Sequence, residues 1–393
     1  MPPFAATANL LRAREGGHGS APVTQIELFF DLVFVFAVTQ LSGELRADLS
    51  PLGLLHTAML FIAVWWVWVY TSWVTNWLEP KHRPVRAMLI ALSLFALILA
   101  AALPKAFAAR ALPFATAYIA MQLGRTLFML WALRGHDAAN TRNFQRIAVW
   151  VTASSILWLA GALAPVARLP LWLAALALDL IGPSLGFYAP GLGRSTTAEW
   201  SIDSYHLAER CAGFILIALG ESITVTGETF YELHWTAQDE FAFLAAFAGI
   251  VALWWIYFDN AAERTAEAFA ESPDPGRIAR AAYTYVHGAL VAGIIIVAAG
   301  DFLVLHAEGA PATLSATFMV IGGPAVFLLG NAVFRRLVHP RFPPSHFYGL
   351  AALLLLAIAS PYIPLLALSW AVNAALLLVI IISELLLRRN PAQ

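Results

Sequence analysis

The sequence predicts an all-α integral membrane protein of about twelve transmembrane helices. Three observations carry that expectation. Hydrophobic residues make up 60% of the chain and charged residues only 12%, half the share usual in soluble domains. The apolar runs are continuous for about 20 residues, the length of a bilayer-crossing helix rather than of an alternating barrel strand of about 10. The positive charges are also unevenly distributed between the segments that join those runs.

The predicted spans are 24–45, 52–78, 85–103, 111–133, 144–164, 170–189, 204–226, 240–260, 278–300, 311–333, 345–364 and 365–387. Of the 23 Lys and Arg, Arg46, Lys105, Arg110 and Arg168 fall in outer segments when the N-terminus is inside. Arg125 and Arg210 fall well within spans, and the remaining seventeen lie in inner segments or in the first three residues of a span at its inner end. This asymmetry predicts that both termini are cytoplasmic. Residues 1–23 read as a mobile cytoplasmic tail without the apolar core of a cleaved signal peptide, 190–203 as a cytoplasmic linker, and 389–393 as a second tail. The expected location is the bacterial cytoplasmic (inner) membrane, with the lipid bilayer as the first partner.

The two halves, 24–189 and 204–388, read as six-helix repeats. FVFAVTQL in span 1 aligns with ILIALGES in span 7, which sets Gln40 opposite Glu221. Trp65-Trp66-Val-Trp68 in span 2 matches Trp254-Trp255-Ile-Tyr257 in span 8. An Arg-x-x-Arg step follows each, and Asp179 in span 6 matches Asn373 in span 12. Both halves start inside, so the repeat is expected to be parallel.

Composition excludes several function classes. A net charge of −1 leaves no basic surface for nucleic acid. Cys211 is the single cysteine, so an intrachain disulfide or a cysteine-based metal site is excluded. There is no phosphate-binding loop, nucleophile elbow, zinc-protease motif or dinucleotide fingerprint, and no catalytic residue, metal or cofactor is called.

Chemistry therefore rests on charges inside the spans. Glu27 and Asp31 are four residues apart and share one helix face. That face must look into the protein, because a carboxylate in hydrocarbon costs roughly 2.5–3.5 kcal/mol or more. Span 7 carries His206, Glu209 and Arg210 near its start and Glu221 farther along. Arg210 is expected to pair with Glu27 or Asp31. Arg125 in span 4 reads either as a partner for an orphan acid or as a recognition group for an anionic substrate. Five acids, Glu27, Asp31, Asp179, Glu209 and Glu221, face two arginines, so the acids left over should be protonated or hold a cation. The alternative is an ion-pair network that only sets helix register. His206-x-x-Glu209 has a di-metal spacing but lacks its second motif. Asp179 precedes Gly182-Pro183, and Gly322-Gly323-Pro324 is expected to interrupt span 10. Broken helices of this kind bind substrates and ions in transporters. The tryptophans at 65–77 and 254–257 read as interfacial belts.

Glu27-Leu-Phe-Phe-Asp31-Leu-Val-Phe-Val-Phe-Ala37, His206-Leu-Ala-Glu209-Arg210, Ala218-Leu-Gly-Glu221-Ser222 and Trp254-Trp255-x-Tyr257-Phe258 together resemble the bacterial low temperature requirement protein A family, from about residue 20 to residue 388. The resemblance implies a multi-pass inner-membrane protein and brings no catalytic residues with it. The layout is analogous to major facilitator transporters, but the 79–86 loop lacks their glycine–aspartate–arginine signature.

The functional expectation is a secondary transporter, a permease coupled to a proton or cation and moving a small solute. Its pathway would draw on Glu27, Asp31, Gln40, Arg125, Asp179, His206, Glu209, Arg210 and Glu221. The alternatives are a membrane-embedded enzyme on a lipid-like substrate, with His206 and Glu209 as acid and base, and a structural or sensory membrane protein. The charge asymmetry makes a direct prediction in a Cys211→Ser background. Ala237→Cys should react with an impermeant maleimide from outside, and Ala270→Cys only after permeabilisation. The reverse pattern would sink the topology.

Overall fold

The computed structural model describes residues 9–12, 22–197, 200, 202–258, 261–307, 313–339 and 341–389. Most of the N-terminal tail, including Arg14, part of the 190–203 linker and residues 390–393 lie outside the described residues. Among those described the fold is all-helical. The helices are α1 Gln25–Ala47, α2 Pro51–Trp77, α3 Arg83–Ala102, α4 Ala111–Ala132, α5 Ala138–Leu163, α6 Arg168–Ile181, α7 Ser204–Glu232, α8 Ala237–Phe258, α9 Ala261–Ala270, α10 Pro275–Ile278, α11 His287–Leu305, α12 Leu314–Val338, α13 Pro344–Ala359 and α14 Leu365–Arg389. A π-helical segment, Ala279–Val286, joins α10 to α11.

Among the described residues ten stretches are long and apolar enough to cross a membrane, against the twelve spans expected. The two remaining positions are α4 and α6. Helix α4 carries Gln122 and Arg125 in its middle, which dilutes its apolar run. Helix α6 has 14 residues, about 21 Å at 1.5 Å per residue, short of the ~30 Å hydrocarbon core. It stops at Ile181 because Gly182-Pro183 follows, and the chain turns through Phe187, whose φ is +49°. The break expected after Asp179 is therefore the end of a helix.

Other ends moved for local reasons. Helix α5 begins six residues before the expected 144, because Asp137 caps it by accepting from the Asn140 N–H at 2.9 Å. That bond satisfies one orphan donor of the first turn. Asp274 caps α10 in the same way through the Arg277 N–H at 2.9 Å. The stretch Pro275–Leu305 then runs on without interruption past the expected end at 300. Pro324 does not interrupt α12, which continues through it to Val338.

The chain divides into two compact units. The first comprises residues 1–41, 54–210 and 272–280, and the second 42–53, 211–271 and 281–393. Helices α1 and α7 are each shared between the units, at Leu41 and Arg210 respectively.

In the first unit, α3, α4, α5 and α6 pack as consecutive antiparallel neighbours. Their core is aromatic, with Tyr118 and Trp158 rings 4.7 Å apart and Trp158 and Trp172 rings 5.1 Å apart. Trp65, Trp66, Trp68 and Trp77 of α2 are buried, so these tryptophans are core residues rather than an interfacial belt. Trp254 and Trp255 of α8 are exposed, as a belt requires. Residues 9–12 lie along the end of α2, with the Arg12 N–H on the Trp77 carbonyl at 2.9 Å and the Glu79 N–H on the Leu10 carbonyl at 2.8 Å.

The second unit is organised by α11 against α12. A Cβ on Gly323 would lie 2.7 Å from the Val297 backbone nitrogen, and one on Gly293 2.8 Å from that of Phe327. Only glycine permits this backbone approach, which in lipid replaces hydrophobic driving force with close contact. Gly322, one residue away, has only the Phe318 ring at 3.7 Å. Gly323→Val should therefore destabilise the protein by about 1–3 kcal/mol or more, while Gly322→Ala stays within about 0.5 kcal/mol. Thermal unfolding in detergent micelles checks the contrast, and equal effects would contradict the packing.

Candidate functional site

The first unit carries a buried ionic cluster built from α1, α2, α7 and residue 12. Glu27 and Asp31 project from α1 four residues apart, and both are at most 1% exposed. His206 and Arg210 stand on the opening turns of α7, also four apart and buried. Arg210 joins the two acids. Its Nε donates to Asp31 Oδ2 at 3.0 Å, its Nη2 to Asp31 Oδ1, and its Nη1 to Glu27 Oε1 at 3.3 Å. Nη1 also reaches Thr75 Oγ1 of α2 at 3.0 Å. The α1–α7 pairing expected from the sequence is present.

The cluster has a second cation that the sequence reading placed in a mobile tail. Arg12 Nη2 lies 3.2 Å from both Glu27 carboxylate oxygens. Its Nε donates to the Thr75 and Leu78 carbonyls at 3.0 and 2.9 Å, the free acceptors at the end of α2. Two guanidinium groups thus face two carboxylates, which satisfies the rule that a buried charge must be paired and hydrogen-bonded. Trp68 Nε1 completes the shell of Asp31 Oδ1 at 2.7 Å. The Thr24 N–H and hydroxyl complete that of Glu27 Oε2, at 2.9 and 2.8 Å.

Both ring nitrogens of His206 are engaged within the cluster. Asn76 Oδ1 accepts from the Asp203 N–H at 2.9 Å, and Asn76 Nδ2 donates to the Asp203 carbonyl at 2.8 Å. This fixes the amide orientation, so the nitrogen faces His206 Nδ1 at 3.3 Å. The other ring nitrogen, Nε2, lies 2.9 Å from Glu27 Oε1 and 3.1 Å from Arg12 Nη2. Asn76 thus holds the imidazole against the carboxylate.

A second polar group in the same unit is built differently. Arg125 of α4 is 1% exposed, and its hydrogen-bond partners among the described residues are neutral. Nη1 donates to the Val67 carbonyl at 3.1 Å and to Thr71 Oγ1 at 3.0 Å, and Nη2 donates to Gln122 Oε1. Gln122 Nε2 then donates to the Tyr118 hydroxyl at 3.1 Å, which donates to Asp179 Oδ2 at 2.7 Å. Trp158 Nε1 approaches the same oxygen at 3.3 Å. Arg125 and Asp179 are thus connected through two uncharged side chains and do not form a salt bridge among the described residues.

The remaining expected site residues stand apart from these groups. Glu209 is exposed and accepts from the Val23 N–H at 3.3 Å. Among the described residues no three metal-ligating side chains gather. Gln40 is half-buried on α1. Glu221 belongs to the second unit and is buried, with Arg46 of that unit within electrostatic reach. His287, buried at the start of α11, bonds the Tyr257 hydroxyl at 2.8 Å.

Four site groups were missed. Arg12 lay in the supposed tail, and the excess of acids over arginines was read as acids that are protonated or hold a cation. Asn76 and Tyr118 are polar residues common in helices and gave no signal. Asp301 was excluded because the ninth span was ended at 300.

The family described as bacterial low temperature requirement A protein (LtrA) matches residues 22–381. The chain belongs to that family. An uncharacterized protein of Rhizobium meliloti (strain 1021) is 39% identical over 373 residues, covering 93% of this chain and 90% of the relative. No solved structure matches. The match to the family takes in Glu27, Asp31, His206 and Arg210, and leaves Arg12, which serves the same cluster, outside its bounds.

The two arginines are not equivalent. Arg210 is shared by both acids, whereas Glu27 keeps Arg210 and His206 when Arg12 is removed. Arg210→Ala leaves a buried carboxylate alone and should cost about 3–5 kcal/mol. Arg12→Ala should cost about 1–3 kcal/mol, the loss of charge-assisted hydrogen bonds. Unfolding midpoints in detergent give the ranking, and the inverse order would show that Arg210 does not carry the cluster.

Proposed function

We propose that the protein is a secondary transporter of the bacterial inner membrane, a permease coupling the movement of a small solute to a proton or cation. The observation that carries this reading is the spaced pair Arg125 and Asp179. A network that served only to fix helix register would pair the two charges directly, as Arg210 and Asp31 are paired. Here the charges are kept apart by Gln122 and Tyr118, in a file whose hydroxyl and amide can pass or reorient hydrogen bonds. Buried acids at a helix end within a membrane bundle are also where transporters commonly place ion sites.

The reading includes two parallel six-helix repeats, 24–189 and 204–388, joined by the linker 190–203, with both termini cytoplasmic. The seventeen-to-four charge asymmetry and the matched motifs support it. A structural role is favoured for one part of the pathway named from sequence. Glu27 and Asp31 are held by two arginines, Trp68, Thr24 and His206, a shell that fastens α1 to α7 and leaves those acids little freedom to exchange partners. An acid–base role for His206 with Glu209 has no such support, because Glu209 is exposed and directed to Val23.

The test uses the full chain in proteoliposomes with trapped pyranine, challenged with a panel of amino acids, sugars and organic cations. One class should drive proton or Na+-dependent movement above empty vesicles. Tyr118→Phe keeps the ring and removes the hydroxyl link. It should fold normally and lose flux by at least about tenfold, the rate equivalent of one lost hydrogen bond. No flux above empty vesicles for the panel, or unchanged flux in Tyr118→Phe, would defeat the reading.

A further inference from the structure

The second unit holds a buried carboxylate that the pathway described above does not use. Asp301 lies near the end of α11 and is 8% exposed, and its Oδ2 has no hydrogen-bond partner. It lines a small cavity of about 20 Å³ together with Val320 and Pro324 of α12, Ser369 and Asn373 of α14, and Gly249 of α8. That volume is the room for one water-sized occupant. Asp301 is the one ionisable side chain in the lining, so an ionised carboxylate there needs a positive guest.

The other walls supply oxygen. Pro324 has no N–H to offer the carbonyl of Val320, its partner four residues back. That carbonyl therefore lacks its usual helical donor, at a residue that lines the cavity. Asn373 Nδ2 donates to the Ala245 carbonyl at 2.7 Å, which turns its Oδ1 the other way. A Cβ on Gly249 would meet that Oδ1 at 3.0 Å, so glycine leaves the amide oxygen uncrowded. Ser369 adds a hydroxyl. Gly300 brings α11 onto α12 here, since a Cβ on it would lie 3.2 Å from the Val320 nitrogen.

We propose that Asp301, Ser369, Asn373 and the Val320 carbonyl form a binding site for one dehydrated monovalent cation, Na+ by size. Hard cations take oxygen ligands, and Ca2+ in particular requires six to eight of them, with several carboxylates. A single carboxylate with three neutral oxygens compensates one charge. A backbone carbonyl that a proline leaves without its helical N–H is a ligand of the kind through which membrane helices coordinate Na+. The site would supply the cation of the coupled-permease reading and rests on that reading only for its purpose, because binding is measured without transport.

The experiment uses the purified full chain in detergent, with 22Na+ equilibrium binding and thermal unfolding in NaCl against choline chloride at equal ionic strength. Wild type should bind one ion per chain, and its unfolding temperature should rise saturably with Na+, as for any ligand that binds only the folded state. Asp301→Asn should fold at least as well without Na+ and lose both responses. Gly249→Ala, which crowds Asn373 Oδ1, should weaken Na+ binding by about tenfold or more and keeps the test valid if the first variant fails to fold. Absence of saturable binding in wild type, or binding that survives Asp301→Asn, would overturn the proposal. A protonated-carboxyl infrared band removed by Asp301→Asn, with no Na+ response, would assign the site to a proton and overturn it too. Binding with no flux in vesicles would leave this site standing and remove the permease reading.

Discussion

Two carboxylates four residues apart on a membrane helix impose the constraint that the rest of the first unit obeys. Glu27 and Asp31 have no water to solvate them once α1 is buried, and an unpaired charge there costs more than any single helix contact returns. The chain answers with Arg210 from α7, Arg12 from the segment before α1, and neutral donors from α2. Each answer fixes a piece of backbone. Arg210 sets the register of the opening turns of α7 against α1. Arg12 draws residues 9–12 along the end of α2, where its Nε also satisfies carbonyls that the helix end leaves open. Thr75, Asn76 and Trp68 are the α2 face that this packing needs.

The second unit is held by a different principle. Hydrocarbon neighbours give helices no reason to associate through hydrophobicity alone, so α11 and α12 gain stability from close backbone contact at Gly293, Gly300 and Gly323. That contact carries consequences for chemistry. It places Asp301 beside the one stretch of α12 where a proline has removed a backbone hydrogen bond. The same small-residue packing that stabilises the unit thereby gathers a carboxylate, a carbonyl without its helical donor, an amide and a hydroxyl around a volume for a single small guest.

The charge groups differ in how tightly they are committed. The Glu27–Asp31 cluster is saturated with direct, charge-assisted bonds and behaves as a strut. The Arg125–Asp179 file interposes Gln122 and Tyr118, so its charges interact through groups that can rearrange. Asp301 has no bond on one oxygen at all. Buried acids within one protein thus differ by what surrounds each of them, and not by burial itself.

The family, the all-helical membrane class and most helix positions were legible from sequence because they follow from local signals. Twenty-residue apolar runs and the four-residue spacing of charges act within a few residues of where they stand. The pairing of Arg210 with Glu27 and Asp31 was legible too, since matched four-residue spacings on two polar helices leave few alternatives. Local signals failed where partners are distant in the chain. Arg12 sits in a polar segment with nothing nearby to mark it, and the unbalanced acids were read as protonated or holding a cation. Trp65 to Trp68 have the composition of an interfacial belt, and only the fold shows that they point inward. Pro324 was expected to break its helix, yet the packing of α11 carries α12 through it. The sequence by itself determined what must be buried and that every buried charge needs a partner. The tertiary structure decided which residue answers each charge, because that choice depends on which faces meet in space and not on their distance along the chain.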